Sequence, residues 1–168
     1  GVALQTGYKY ALENDYDYVI QLDGDGQHDP KYVVDLLAEL KKGEADLIIG
    51  SRFLGDKACR VPLLRHLGIL LFGSVASLLI GQKITDPTSG YRGMNKEAIR
   101  FLVRDHYPED YPDADIIVML HRFGLHIKEI PVIMYPNIKD KTMHSGLKPF
   151  YYVFKMVLSI FLTLMRKE

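Results

Sequence analysis

Three carboxylates fall within seven positions of the stretch Leu22 to Pro30, LDGDGQHDP. Asp23 and Asp25 flank a single glycine, and on a turn both side chains can face one ion. Carboxylate oxygens joined by the amide oxygen of Gln27 are hard donors that suit Mg2+ or Mn2+. The competing reading is a solvated Asp/Gly turn. A calcium loop does not fit, because the D-G-D-G start lacks the remaining ligands and closing glutamate of that pattern. Further along, TDPTSGYR places Asp86, Thr88, Ser89 and Arg92 close together, and Arg52 follows ADLIIGS. That guanidinium can pair with a phosphate or with the acidic loop itself. Asp113 stands near the cap of a helix and Asp115 inside its first turn, where a structural carboxylate also stabilises the helix.

The elements that must position these groups read as an α/β alternation. Val2, Leu4, Tyr8, Ala11 and Leu12 recur near one helical face. Tyr16 to Leu22 reads as a strand with Val19, Ile20 and Leu22 buried, so the acidic loop sits at a strand's carboxyl end, where open α/β sheets place ligands. Asp29 and Pro30 suit the cap and first residue of a helix reaching about Lys42, closed by Gly43. Ala45 to Gly50 predicts a second buried strand. If the two strands are parallel, Arg52 shares the rim of Asp23 and Asp25.

Leu54 to Arg65 shows no periodicity and carries Lys57, Arg60 and Arg65. The apolar run that follows, Leu67 to Ile80, is too short to cross a bilayer at about 1.5 Å per residue. It suits a buried core helix or one lying on a membrane surface. TDPTSGYR is rich in turn formers and does not read as a normal strand. Asn95 caps a helix from Lys96 to about Val103, Ala114 to Phe123 forms another closed by Gly124, and Pro131 makes His126 to Tyr135 an edge or irregular strand. The tail divides into a loop with Lys139, Lys141, His144 and Lys148, and an apolar run from Phe150 to Met165 interrupted by Lys155. We read that run as amphipathic or membrane-associated in preference to a full span, with a soluble packed helix as the alternative.

With 168 residues, 48% of them hydrophobic and 25% charged, the chain fits one globular domain with a real core. Lys plus Arg balance Asp plus Glu at 21 each, and the cations are scattered without a stacking platform, which argues against nucleic acid. A lone cysteine, Cys59, excludes an internal disulfide and fits a reducing compartment. His121 and His126 have no partners at zinc-site spacing. The chain opens as a helix already in progress, which suggests that a preceding part is missing.

QLDGDGQHDP, ADLIIGSRF, ITDPTSGYRGMN and GLHIKEIPV follow one another in an order and at separations that resemble glycosyltransferase family 2, specifically the polyprenyl-phosphate enzymes related to dolichyl-phosphate mannosyltransferase. The resemblance covers essentially the whole chain. It implies a GT-A, Rossmann-like α/β domain, with a mostly parallel sheet flanked by helices and lacking its first strands. Residues 1–148 would form roughly the C-terminal two-thirds of that catalytic domain and residues 149–168 a membrane-associated helix.

By the same resemblance, Asp25 is a direct metal ligand, Asp23 a ligand or a sugar and ribose contact, Gln27 a supporting ligand and Arg52 a phosphate contact. Thr88, Ser89, Gly90 and Arg92 line the acceptor side, and Lys139, Lys141 and His144 supply positive charge there. The tail departs from the family pattern: Asn137, Asp140 and Thr142 stand where an arginine, glycine and serine are usual, which removes one phosphate clamp. Asp115 matches a family carboxylate that acts as general base toward a sugar hydroxyl. A polyprenyl-phosphate oxygen is already anionic and would need only orienting. The implied activity is inverting, divalent-metal-dependent transfer from a nucleotide sugar to a polyprenyl phosphate at the cytoplasmic face of a membrane, peripheral or anchored through a membrane or transmembrane partner. The alternatives are transfer to a saccharide hydroxyl, or a noncatalytic fragment or binding module.

Overall fold

The computed structural model describes residues 2–55, 63–104 and 114–135. The helix expected over 149–168, the cations Lys139, Lys141, His144 and Lys148, the tail positions Asn137, Asp140 and Thr142, and also Lys57, Cys59, Arg60 and Asp113, lie outside the described residues.

Chain order is α1 (Val2–Glu13), β1 (Tyr18–Gln21), α2 (Tyr32–Lys41), β2 (Leu47–Ser51), α3 (Leu63–Ile80), β3 (Arg92–Asn95), α4 (Lys96–Leu102), α5 (Ala114–Arg122) and β4 (Ile127–Pro131). The four strands form one sheet in the order β1-β3-β2-β4. β2 is parallel to β4, while β3 runs antiparallel to both β1 and β2. The sheet is therefore mixed, whereas the sequence predicts a mostly parallel one. The physical reason lies in the segment before β3. Residues 85–91 dock on the carboxyl rim, with the Gly50 N–H donating to the Tyr91 carbonyl at 2.8 Å, so the chain enters β3 from that rim and runs back down between β1 and β2.

Alternation within β2 builds two cores. Leu47 and Ile49 face a cluster containing Tyr8, Ala76, Ile99 and Ile117, whereas Ile48 faces Leu36, Leu40, Tyr91 and Ile130. Helix α2 thus covers one face of the sheet, and α1, α3, α4 and α5 supply the cluster on the other. All five residues of β2 are buried, as a central strand requires. β1 is only half-buried along its length, and Leu22, expected inside, is exposed. β4 is an edge strand ending on Pro131, as its sequence predicts.

Helix α2 begins at Tyr32, later than the Asp29-Pro30 pair suggests. Tertiary bonds intervene: His28 bridges to Met134, the Tyr91 hydroxyl donates to the Asp29 carbonyl at 3.0 Å, and the Tyr135 hydroxyl donates to the Asp29 carboxylate at 3.1 Å. The Asp29 side chain caps a turn instead, accepting from the Lys31 amide at 3.1 Å.

Helix α3 carries features of both of its readings. Ile69, Phe72, Ala76 and Ile80 are buried, but Leu67, Leu70, Leu71 and Leu78 are 50–83% exposed. No helix among the described residues is long and apolar enough to cross a membrane.

The junction of β3 with α4 rests on Asn95. Its side-chain oxygen accepts from the Ala98 amide at 3.0 Å, and its amide group donates to Asp46 at 2.7 Å. Asn95→Ala should cost about 1–2 kcal/mol, read in urea unfolding as a lower midpoint with an unchanged slope; an unaltered midpoint would contradict this role.

Candidate functional site

Three loops converge on the carboxyl rim of the sheet because β1, β2 and β4 all end there and β3 begins there. They are the acidic loop after β1, the Ser51-Arg52-Phe53 turn after β2, and residues 85–91 before β3. The expectation that Arg52 shares a rim with Asp23 and Asp25 holds. In the structure its guanidinium meets the carboxylate of Asp86 in the 85–91 loop.

Arg52 is buried, and its Nε and Nη2 donate to the two carboxylate oxygens of Asp86 at 2.7 and 2.6 Å. The Arg52 amide also donates to Asp86 at 3.0 Å, and Nη2 reaches the Thr88 hydroxyl at 2.9 Å. Such a two-pronged pair fixes orientation as well as charge. Asp86 is in turn aligned by Glu129 of β4, whose carboxylate accepts from the amides of Thr85 and Asp86 and from the Thr85 hydroxyl, each at 2.8 Å. Burial raises the Glu129 pKa against the opposing pull of these donors. Ser51 and Thr85 share a hydroxyl–hydroxyl bond of 2.6 Å that closes the network.

The other members of the 85–91 loop are turned inward. The Ser89 hydroxyl donates to the Gly50 carbonyl at 2.6 Å, and Arg92 donates to the carbonyls of Ser89 at 2.8 Å and Pro87 at 3.2 Å. Ser89 and Arg92 are buried and shape their own loop. Among the described residues expected on the acceptor side, Gly90 meets the acidic loop. A Cβ placed there would stand 2.8 Å from Asp23 Oδ2, so the absent side chain is what admits that carboxylate.

In the acidic loop, Asp25 accepts from the Gln27 amide at 3.0 Å and from the Gln27 side-chain nitrogen. Its modest burial favours the neutral form, but the hydrogen bonds from Gln27 outweigh that and lower its pKa. Gly26 sits at φ +81°, the left-handed geometry that closes the turn. The Asp23 side chain is 57% exposed. His28, which is buried, accepts the Asp23 amide N–H on Nδ1 at 2.9 Å and stacks on the Tyr91 ring at a centroid distance of 4.9 Å. Burial lowers the His28 pKa and, with the nearby Arg52 charge, prevails over the attraction of Asp23, Asp25 and Asp86.

Among the described residues, no group of three or more His, Cys, Asp or Glu side chains is placed to hold a metal ion. The loop offers two carboxylates and an amide. That donor set fits a hard cation that keeps water and takes its remaining ligands from substrate phosphates, the usual manner of Mg2+. Asp115 is buried at the start of α5, its Oδ1 accepting from the Ile116 amide at 2.9 Å. His28 and Glu129 escape sequence reasoning as site residues, because one acts through a buried ring face and the other through bonds more than forty positions away.

Residues 1–102 match a family model described as glycosyl transferase family 2. The chain is 32% identical over 150 residues to an undecaprenyl-phosphate mannosyltransferase of Micrococcus luteus, covering 87% of this chain and 60% of that protein. It is 29% identical over 161 residues to an uncharacterized protein of Methanocaldococcus jannaschii, covering 94% and 66%. The chain thus spans 60–66% of the length of these relatives. A solved glucosyl-3-phosphoglycerate synthase from Mycobacterium tuberculosis, bound to phosphoglyceric acid, superposes with a TM-score of 0.61 at 16% identity. It covers 99% of this chain and 55% of that one and shares the fold.

Removing Asp86 would take from the buried Arg52 guanidinium the carboxylate that accepts two of its bonds. Asp86→Ala should destabilise the protein by about 3–5 kcal/mol in chemical denaturation. A loss below about 1 kcal/mol, the range of an exposed pair, would contradict the network.

Proposed function

The chain belongs to glycosyl transferase family 2, and from that premise we propose that it forms part of a catalytic domain transferring a sugar from a nucleotide-sugar donor to an acceptor. The observation that carries this reading is the placement of the Asp23–Gln27 turn on the rim where three loops converge, with the Asp23 carboxylate against Gly90. In the finer reading, residues 1–148 belong to a GT-A domain, residues 149–168 associate with a membrane, and the acceptor is a polyprenyl phosphate. The Micrococcus relative, an undecaprenyl-phosphate mannosyltransferase by name, supports that acceptor. The exposed leucines of α3 support a membrane surface as the place of action, since an apolar face of this kind gains free energy when covered.

In the proposed reaction the acceptor oxygen attacks the anomeric carbon from the face opposite the diphosphate. The bond from that carbon to the diphosphate oxygen breaks with its electron pair, leaving a nucleoside diphosphate and an inverted glycoside. Asp23 and Asp25, with Gln27, would hold a divalent cation, Mg2+ or Mn2+, which when bound offsets the charge developing on the leaving group. Arg52, held in place by its bonds to Asp86, is proposed as a phosphate contact. Thr88 and Gly90 border the same rim, and Lys139, Lys141 and His144 are proposed to attract the acceptor phosphate.

Transfer to a saccharide hydroxyl is the second reading. Asp115, a carboxylate buried at a helix start, is the specific feature that favours it, because a hydroxyl acceptor requires a base.

A full-length protein offered polyprenyl phosphate and soluble saccharides side by side, with product detected by mass, separates the two. Asp25→Ala should lower transfer by at least a hundredfold with an unchanged melting temperature, and full activity would overturn the reading. Asp115→Asn should abolish transfer to a hydroxyl with donor binding kept, yet spare most transfer to a phosphate; loss of both alike would contradict these roles.

A further inference from the structure

We propose that His28 is a positioning residue that holds the Asp23 backbone and, through it, the presentation of the Asp23 carboxylate to a bound cation and diphosphate. This inference rests on the reading of the acidic loop as the donor site. The geometry is specific to an imidazole. Nδ1 accepts the Asp23 amide N–H at 2.9 Å, which in the neutral ring places the remaining proton on Nε2, 3.9 Å from Asp23 Oδ2. The flat face of the ring lies on Tyr91 at 4.9 Å with an interplanar angle of 19°.

Both ends of this contact are held independently. Tyr91 is fixed by its hydroxyl on the Asp29 carbonyl at 3.0 Å and by its amide on the Ser89 hydroxyl at 3.2 Å. The His28 backbone bridges to Met134, and the neighbouring Gln27 carbonyl accepts from the Tyr135 amide at 2.9 Å. The ring is thus a buried wedge between the acidic loop and the 85–91 loop. Asp23 follows the end of β1 and has the Gly90 position, which offers no side chain, against its carboxylate. Its amide bond to His28 steers it. A partner behind a ligand typically alters metal affinity or activity by about 10–100-fold when removed.

The test uses three forms of the full-length protein and reads Mn2+ binding by water-proton relaxation with a nucleoside diphosphate present, beside amide hydrogen exchange at Asp23. His28→Phe keeps the stacking face and bulk but removes the acceptor; His28→Asn restores an acceptor near the position of Nδ1. The proposal expects His28→Phe to weaken Mn2+ binding about 10–100-fold and to lose protection at the Asp23 amide, with kcat falling more than KM rises. It expects His28→Asn to recover most of both, at melting temperatures close to wild type. Equal binding and equal protection in His28→Phe and wild type would overturn the proposal while leaving the donor site standing. Absence of diphosphate-dependent Mn2+ binding in the wild-type protein would overturn the donor site, and this proposal with it. A loss that His28→Asn fails to recover would also overturn it, since the acceptor would then not be the operative feature.

Discussion

The buried ion pair of Arg52 with Asp86 is the constraint on which the rim depends. Arg52 follows the central strand and Asp86 lies on the segment that leads into β3, so their two short bonds join the end of one strand to the approach of its neighbour. A charge pair taken out of water is not in itself a source of large stability, because desolvation consumes much of the attraction. Its value here is geometric. Glu129 aligning Asp86 from β4 and Ser89 bonded to the Gly50 carbonyl hold the 85–91 loop on the carboxyl rim, from which β3 runs back antiparallel.

Function follows from what this frame leaves at its surface. A rigid 85–91 loop brings Gly90 against Asp23 and the Tyr91 ring against His28. The acidic turn is therefore anchored at its root while the Asp23 carboxylate stays largely exposed. That combination suits a site whose remaining ligands arrive with the substrate: fixed oxygens on the protein side and solvent on the other. It also reassigns charge. Arg52, which the sequence offers to a phosphate or to the acidic loop, donates to both Asp86 oxygens, and Arg92, expected on the acceptor side, donates to loop carbonyls.

Much of the architecture is legible in the residues themselves. The stripe of Leu36 and Leu40 marks α2, the continuous run of Leu47 to Gly50 marks the central strand, and the Asn95 cap starts α4 at its predicted residue. The acidic turn at a strand's carboxyl end is likewise readable from its hydrophobic lead and its glycines. What escapes is long-range in origin. β3 is four residues, RGMN, with a glycine that lets Ile20 and Leu40 approach to 3.0 Å of a Cβ position, and no periodicity survives at that length. The start of α2 is decided by partners of Asp29 as distant as Tyr135. Glu129 carries ordinary local sequence, and its bonds to the amides of Thr85 and Asp86 come only with the fold.

The most direct test of the central claim, that the acidic turn is where a cation and a diphosphate meet, is to locate Mn2+ in the full-length protein by its paramagnetic broadening of backbone resonances. Titrated with a nucleoside diphosphate, broadening should centre on residues 23–27 and spread to Gly90, and should be weak without the nucleotide. Broadening centred elsewhere, or equal with and without the diphosphate, would contradict the account.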